Sequence, residues 1–84
     1  MEYAEIEQKV KEIFSSQLNI DIAKINIDSH LFKDLNMDSF GAIETVFALE
    51  EKFDLKIPEA DIDKAKTIKD IVDHVARQLE KKQA

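Results

Sequence analysis

Ser39 is the residue of this sequence best placed to do chemistry, and it stands directly after Asp38. A serine hydroxyl becomes a nucleophile when a neighbouring base takes its proton and a third group orients that base. The two histidines, His30 and His74, lie far apart in the chain, and neither has the sequence context of such a base. No catalytic residue is therefore assigned, and self-contained enzymatic activity is not expected. With no Cys in the chain, the histidines also lack the companions and spacing of a zinc site. Asp34-Leu35-Asn36-Met37-Asp38 has the D-x-N-x-D spacing that opens a calcium loop. The sixth position of such a loop needs Gly and here holds Ser39; the twelfth needs Glu and here holds Thr45. No metal site is expected. What Ser39 does have is a suitable address: a helix starting there would turn its positive end toward an anion such as a phosphodiester. Serine is also simply common at helix starts, so the Asp-Ser pair alone decides nothing.

The elements that would position Ser39 can be read from periodicity. Ile6, Val10, Ile13, Phe14 and Leu18 recur at helical spacing, which predicts a first helix over 3–18. Residues 19–36 carry polar Asp21, Asn26, Asp28, Ser29 and Asp34 between apolar Ile20, Ile22, Ile25, Ile27, Leu31, Phe32 and Leu35. The alternation could suit a strand, but no hairpin signal or second strand accompanies it. A long ordered loop anchored by its apolar residues is the better reading, and loops of that length are often functional. A second helix is expected over 39–53, capped by Asp38, with Phe40, Ile43, Val46, Phe47, Leu49 and Phe53 as its apolar stripe. Pro58 then suits the start of a short helix over 59–64. Thr67 is expected to cap a last helix reaching about Leu79, with a frayed tail over 80–84. The sum is an all-α fold: a small bundle of three main helices plus one short helix, with a long loop between the first two.

Composition bounds the rest. At 84 residues the chain has the size of one domain, with an ordered core expected over about 3–79. A domain this small buries only about 60% of its unfolded surface, so its core is thin. The net charge of −6 speaks against nucleic acid, which needs clustered Lys and Arg, and against an anionic membrane surface. It suits a partner with a basic patch, although acidity also simply keeps a small protein in solution. No stretch approaches the length of a membrane span, and the acidic Met1–Glu5 segment does not resemble a signal peptide. A soluble monomer of cytoplasmic type, without membrane insertion, is the expectation.

The segment Leu31-Phe32-Lys33-Asp34-Leu35-Asn36-Met37-Asp38-Ser39-Phe40 resembles the stretch around the phosphopantetheine serine of the acyl carrier protein family. The family's Leu-x-x-Asp-Ser-Leu pattern reads here Leu35-Asn36-Met37-Asp38-Ser39-Phe40. The likeness continues without a gap through Ala48-Leu49-Glu50-Glu51-Lys52-Phe53, Ile57-Pro58 and Thr67-Ile68-Lys69-Asp70-Ile71-Val72, so it spans nearly the whole chain. The resemblance implies covalent 4'-phosphopantetheine on Ser39, with Asp38 flanking it. A separate phosphopantetheinyl transferase would deliver the arm from coenzyme A, and the arm's thiol would hold acyl groups as thioesters. It further implies partner enzymes of fatty acid or related lipid synthesis, such as synthases and acyltransferases, with basic patches. Their contacts would be acidic Asp38, Glu44, Glu50 and Glu51 and apolar Phe40, Ile43 and Phe47. It also implies an interior able to shelter an acyl chain, drawn from Val46, Leu49, Phe53, Ile57, Ile62, Ile68 and Ile71.

Some positions depart from the family's usual pattern. Phe40 stands where Leu is usual, Gly41 where a side chain is usual, and Thr45 where a larger apolar residue is usual; Ala42 is small as well. These changes point to a specialised carrier, with Gly41 leaving room for a partner's backbone beside the arm. Two other readings share the fold: a carrier of aminoacyl, peptidyl or polyketide units, and an unmodified helical protein-interaction module.

Overall fold

The computed structural model describes residues 2–83. Four α-helices run in the order α1 (Tyr3–Leu18), α2 (Ser39–Phe53), α3 (Glu59–Lys64) and α4 (Ile68–Gln83), and the loop after α1 holds one 3₁₀ turn, Ile22–Lys24. α1 packs against both α2 and α4. The expected bundle of three main helices and one short one is present. α1 buries Ile6, Val10 and Phe14, one turn apart on a single face. α4 supplies Ile68, Ile71, Val72 and Val75 to the same core, and α2 adds Leu49 and Phe53.

The turns are built almost without glycine. The backbone enters the left-handed region at Asn19, Asn36 and Asp54, with φ of 56°, 57° and 52°. Asn and Asp tolerate that region better than other side-chained residues. Asn19 and Asp54 use it to end α1 and α2, their N–H groups bonding back to Ser15 and Glu50 carbonyls.

The long loop is anchored as expected through Ile25, Leu31 and Leu35, and also through Met37, all buried. Phe32 is a correction: it is 47% exposed and stays outside the core. The loop also has a backbone partner that sequence reading did not supply. His30 and Thr67 form an isolated antiparallel bridge. Around it Leu31 N–H donates to Lys66 O at 2.8 Å, Ile68 N–H to Ser29 O at 3.1 Å, and Lys69 N–H to Ile27 O at 2.8 Å. The strand-like alternation of this segment thus finds its hydrogen bonds on the first turn of α4. Buried Ser29 closes the loop locally, its hydroxyl accepting from Asn26 N–H at 2.9 Å.

The start of α4 is a capping box. Thr67 Oγ1 accepts from Asp70 N–H at 3.3 Å, while Asp70 Oδ2 accepts from Lys66 and Thr67 N–H at 2.9 and 3.1 Å. α4 continues to Gln83, because Leu79 remains half-buried and Lys82 reaches back to the C-terminus of α2. Its ammonium pairs with the Asp54 carboxylate at 2.8 Å and also donates to the Asp54 carbonyl. Ala84 lies outside the described residues. At the opposite end, the Tyr3 hydroxyl donates to Asp73 at 2.5 Å, tying the first turn of α1 to α4.

The Lys66 N–H, and after it the N–H of Thr67, hold the Asp70 carboxyl below the usual carboxylate range, with burial opposing. A carboxyl whose folded affinity for protons is depressed stabilises the fold above its unfolded pKa and loses that effect as pH falls through the folded value. Asp70→Ala should cost about 1 kcal/mol at neutral pH, the usual scale for a lost cap. In urea titrations, its deficit against the unaltered chain should narrow as pH drops below about 4. A deficit that stays constant in acid would show that the carboxylate is not the stabilising group.

Candidate functional site

Ser39 is the first residue of α2 and its side chain is exposed. Asp38, the N-cap, adopts extended backbone and accepts from Gly41 N–H at 2.6 Å through Oδ1. That bond satisfies one of the free donors of the first helical turn and leaves the Ser39 hydroxyl unencumbered. Behind it, Met37 and Leu35 are buried, so the loop carries Asp38 and Ser39 to the surface on a fixed base.

α2 divides into a core face and a groove face. Thr45, Leu49 and Phe53, four residues apart, point into the core. The expected broad apolar stripe is thereby corrected, since Phe40, Ile43 and Phe47 are 71%, 55% and 65% exposed. Thr45 is enclosed in place of a larger apolar residue, and its hydroxyl donates to the Gly41 carbonyl at 2.7 Å, which makes it tolerable there. On a second face, Ser39, Ile43, Val46, Phe47 and Glu50 line one groove at helical spacing.

That groove has a volume of about 480 Å³. Phe32 of the loop, Ala42, Ile57, and Ile62 and Asp63 of α3 complete its walls. Glu50 is not a free acid on it. Its Oε2 accepts from Ile57 N–H at 2.8 Å, holding the α2–α3 connection in place. Of the acidic and apolar residues singled out from sequence, Ile43, Phe47 and Glu50 therefore share the groove with Ser39. Phe40, Glu44 and Glu51 are exposed but do not line it. Of the proposed interior, Leu49, Phe53, Ile57, Ile68 and Ile71 are buried, while Val46 and Ile62 are half-buried at the groove wall. Phe32 and Asp63 were not anticipated as groove residues. Nothing in their local sequence marks them, because only the packing of loop and α3 brings them to α2.

The arrangement fits a phosphodiester-linked arm. An accessible hydroxyl sits at a helix N-terminus, where the peptide dipoles favour an anion, and a mainly apolar groove lies beside it. The His30 ring is engaged elsewhere: its Nδ1 accepts from Phe32 and Lys33 N–H at 3.2 Å each. Asp34 likewise serves the loop, accepting from His30 N–H at 2.7 Å.

Comparison with known proteins agrees with this geometry. A family model described as a phosphopantetheine attachment site matches residues 8–75. The acyl carrier protein of Thermosynechococcus vestitus is 39% identical over 75 residues, spanning 89% of this chain and 93% of its own. The chain belongs to the acyl carrier protein family. The acyl carrier protein of Helicobacter hepaticus is similar as well, at 40% identity over 68 residues, or 81% of this chain and 90% of its own. As a member, the chain is a carrier and not a catalyst, and its cofactor is 4'-phosphopantetheine. Acyl-processing enzymes are its class of partner. Among the described residues no helix is long and apolar enough to cross a membrane.

Gly41 has an internal explanation that the reading of a cleared path for a partner missed. Its φ is not positive, so no turn requires glycine. A Cβ there would lie 3.1 Å from Asp38 Oδ1, 3.4 Å from Leu18 Cδ2 and 3.7 Å from Met37 Cγ. The missing side chain clears space for the cap and for the end of α1. Gly41→Ala should therefore gain less than the ~1 kcal/mol that helix propensity offers. The shortfall should disappear in an Asp38→Ala background, giving a coupling of about 0.5 kcal/mol or more in a double-mutant cycle of urea midpoints. Additive effects would show that the cap and the glycine do not share that space.

Proposed function

We propose that Ser39 carries the 4'-phosphopantetheine arm and that this chain delivers acyl thioesters to enzymes of fatty acid or related lipid synthesis in the cytoplasm. The observation that carries the reading is the shared rim: the exposed Ser39 hydroxyl opens α2 and borders the apolar groove between α2 and α3. A separate transferase moves the arm from coenzyme A to that hydroxyl, and the chain's own residues do the rest. Asp38 holds the first turn in place, and Ala42, Ile43, Val46 and Ile62 offer the cargo an apolar surface. Tethering keeps each acyl group at high effective concentration before a docked enzyme.

Partners would read the exposed side of α2. Phe40, Ile43 and Phe47 offer apolar anchors, and Asp38, Glu44 and Glu51 offer charges for a basic patch. Such charges act chiefly on encounter rate and orientation. Glu50 contributes less freely, since its carboxylate already holds Ile57 N–H. The departures from the usual pattern sort differently once packing is considered. Gly41 and Thr45 are accounted for by contacts inside the molecule and Ala42 by the groove, which leaves Phe40 as the exposed change next to the arm. A specialised carrier, whose partners accept an aromatic residue there, is the reading we favour over the general fatty acid synthesis carrier.

Coexpression with a phosphopantetheinyl transferase should raise the intact mass by one phosphopantetheinyl group, and Ser39→Ala should abolish the gain. No gain, or a gain that survives the substitution, would overturn the assignment. A malonyl-loaded form offered to general fatty acid synthase enzymes should turn over poorly, and Phe40→Leu should improve it. Full turnover by the unaltered chain would rule out specialisation.

A further inference from the structure

α3 is the least anchored helix of the fold. Its N-cap residue is Pro58, which offers no side-chain cap. Among its described side chains, Ala60, Asp63 and Lys64 are exposed and Asp61 and Ile62 are half-buried, while Ala65, just past its end, is buried. An element that buries so little lies at the low end of local stability. Yet Ile62 and Asp63 of α3 form one wall of the groove beside Ser39. Whatever ties α3 to the rest of the molecule therefore sets the width of that groove.

Among the described residues one polar pair links α3 to α4. The side chain of His74 is only 14% exposed, and its Nε2 is buried with no hydrogen-bond partner. The nearest acid is Asp61, whose Oδ2 lies 3.8 Å away. That is too long for a hydrogen bond and close enough for Coulomb attraction. A buried ring nitrogen left without a partner is costly, and a shift of about 1 Å by α3 would supply one. Burial disfavours the charged form of His74 first of all; Asp61 favours it, and Arg77 and Lys81 on its own helix oppose it. Among the described residues no charged group of α1 or α2 acts on it.

We propose that His74 and Asp61 form a latch between α4 and α3, closed when they pair, whose release lets α3 move away from α2 and widens the groove to cargo on Ser39. The cargo half of this statement rests on the Ser39 carrier reading; the latch itself does not. Near neutral pH the imidazole is uncharged and the latch stands open at 3.8 Å. As pH falls below about 6.5, the unfolded chain takes up the proton before the folded one, so an unpaired His74 costs the fold stability. Pairing with Asp61 offsets that cost, and acid therefore closes the latch. By linkage, a chain that pushes α3 outward must weaken proton binding at His74 to the same extent.

NMR titration of the His74 ring in the full chain tests the pair directly. Asp61→Asn should lower the midpoint by about 0.5 units, roughly threefold in proton affinity. Between about pH 7.5 and about pH 5.5, amide exchange in α3, corrected for its intrinsic pH dependence, should slow about threefold in the unaltered chain. It should not slow in Asp61→Asn or His74→Phe. In chains loaded through the arm, a decanoyl group should depress the His74 midpoint relative to an acetyl group. An Asp61→Asn variant that titrates and exchanges like the unaltered chain would overturn the latch. Equal midpoints for decanoyl and acetyl forms would overturn its coupling to the groove. Failure of Ser39 to accept the arm would instead defeat the carrier reading, leaving the first two measurements readable.

Discussion

The pairing of Ile27–Leu31 with Lys66–Lys69 is the contact on which the rest of the molecule depends. The loop between α1 and α2 is too long to be ordered by its own turns, and every backbone group it buries needs a partner. Bonds within the loop, such as Met37 N–H to Leu31 O, supply part of them, and three backbone hydrogen bonds to the start of α4 tie the loop to the rest of the molecule. The same turn of α4 is held by the Thr67–Asp70 capping box, so loop and helix brace each other. With the loop fixed, Leu31, Leu35 and Met37 drop into the core and Asp38 arrives where a cap is needed. The position of Ser39 follows from a contact some thirty residues away in the chain.

The division of α2 into faces shows how a thin core is spent. A small domain buries few large side chains, and here Thr45, Leu49 and Phe53 suffice for this helix. Three large apolar residues are left outside, a patch that a monomer this size does not need for stability. Exposed Phe40, Ile43 and Phe47 would serve the docking role proposed for this side of α2. The groove that Ile43 and Phe47 share with Ser39, walled in part by Ile62 and Asp63 of α3, would serve the cargo proposed for it. The core is concentrated where α1, α2 and α4 meet, and α3 buries little, which would suit the proposed sheltering and release of a cargo chain.

Much of this was legible in the linear sequence because it is local. The starts of α2 and α4 are decided by Asp38 and Thr67 within one turn of their targets, and the end of the α2–α3 connection by Pro58. The helical spacing of Ile6, Val10 and Phe14 names its own buried face. The left-handed turns at Asn19, Asn36 and Asp54 replaced the glycines that the composition lacks, a substitution harder to see because Asn and Asp serve in many other roles.

The sequence by itself determined the helices, the Asp38 and Thr67 caps, and Ser39 as the residue that opens α2, since each depends on interactions within a few residues. Tertiary structure decided which side of α2 faces the core, because Phe40, Ile43, Phe47 and Leu49 are all apolar and periodicity cannot rank them. It decided that Gly41 serves the Asp38 cap, that Glu50 holds Ile57, and that α4 runs on past Leu79 to let Lys82 meet Asp54. It alone brought Phe32 and Asp63 to the groove and set His74 against Asp61. These contacts join segments distant in the chain, and only the packing of α1, α2 and α4 into one core specifies which distant residues meet.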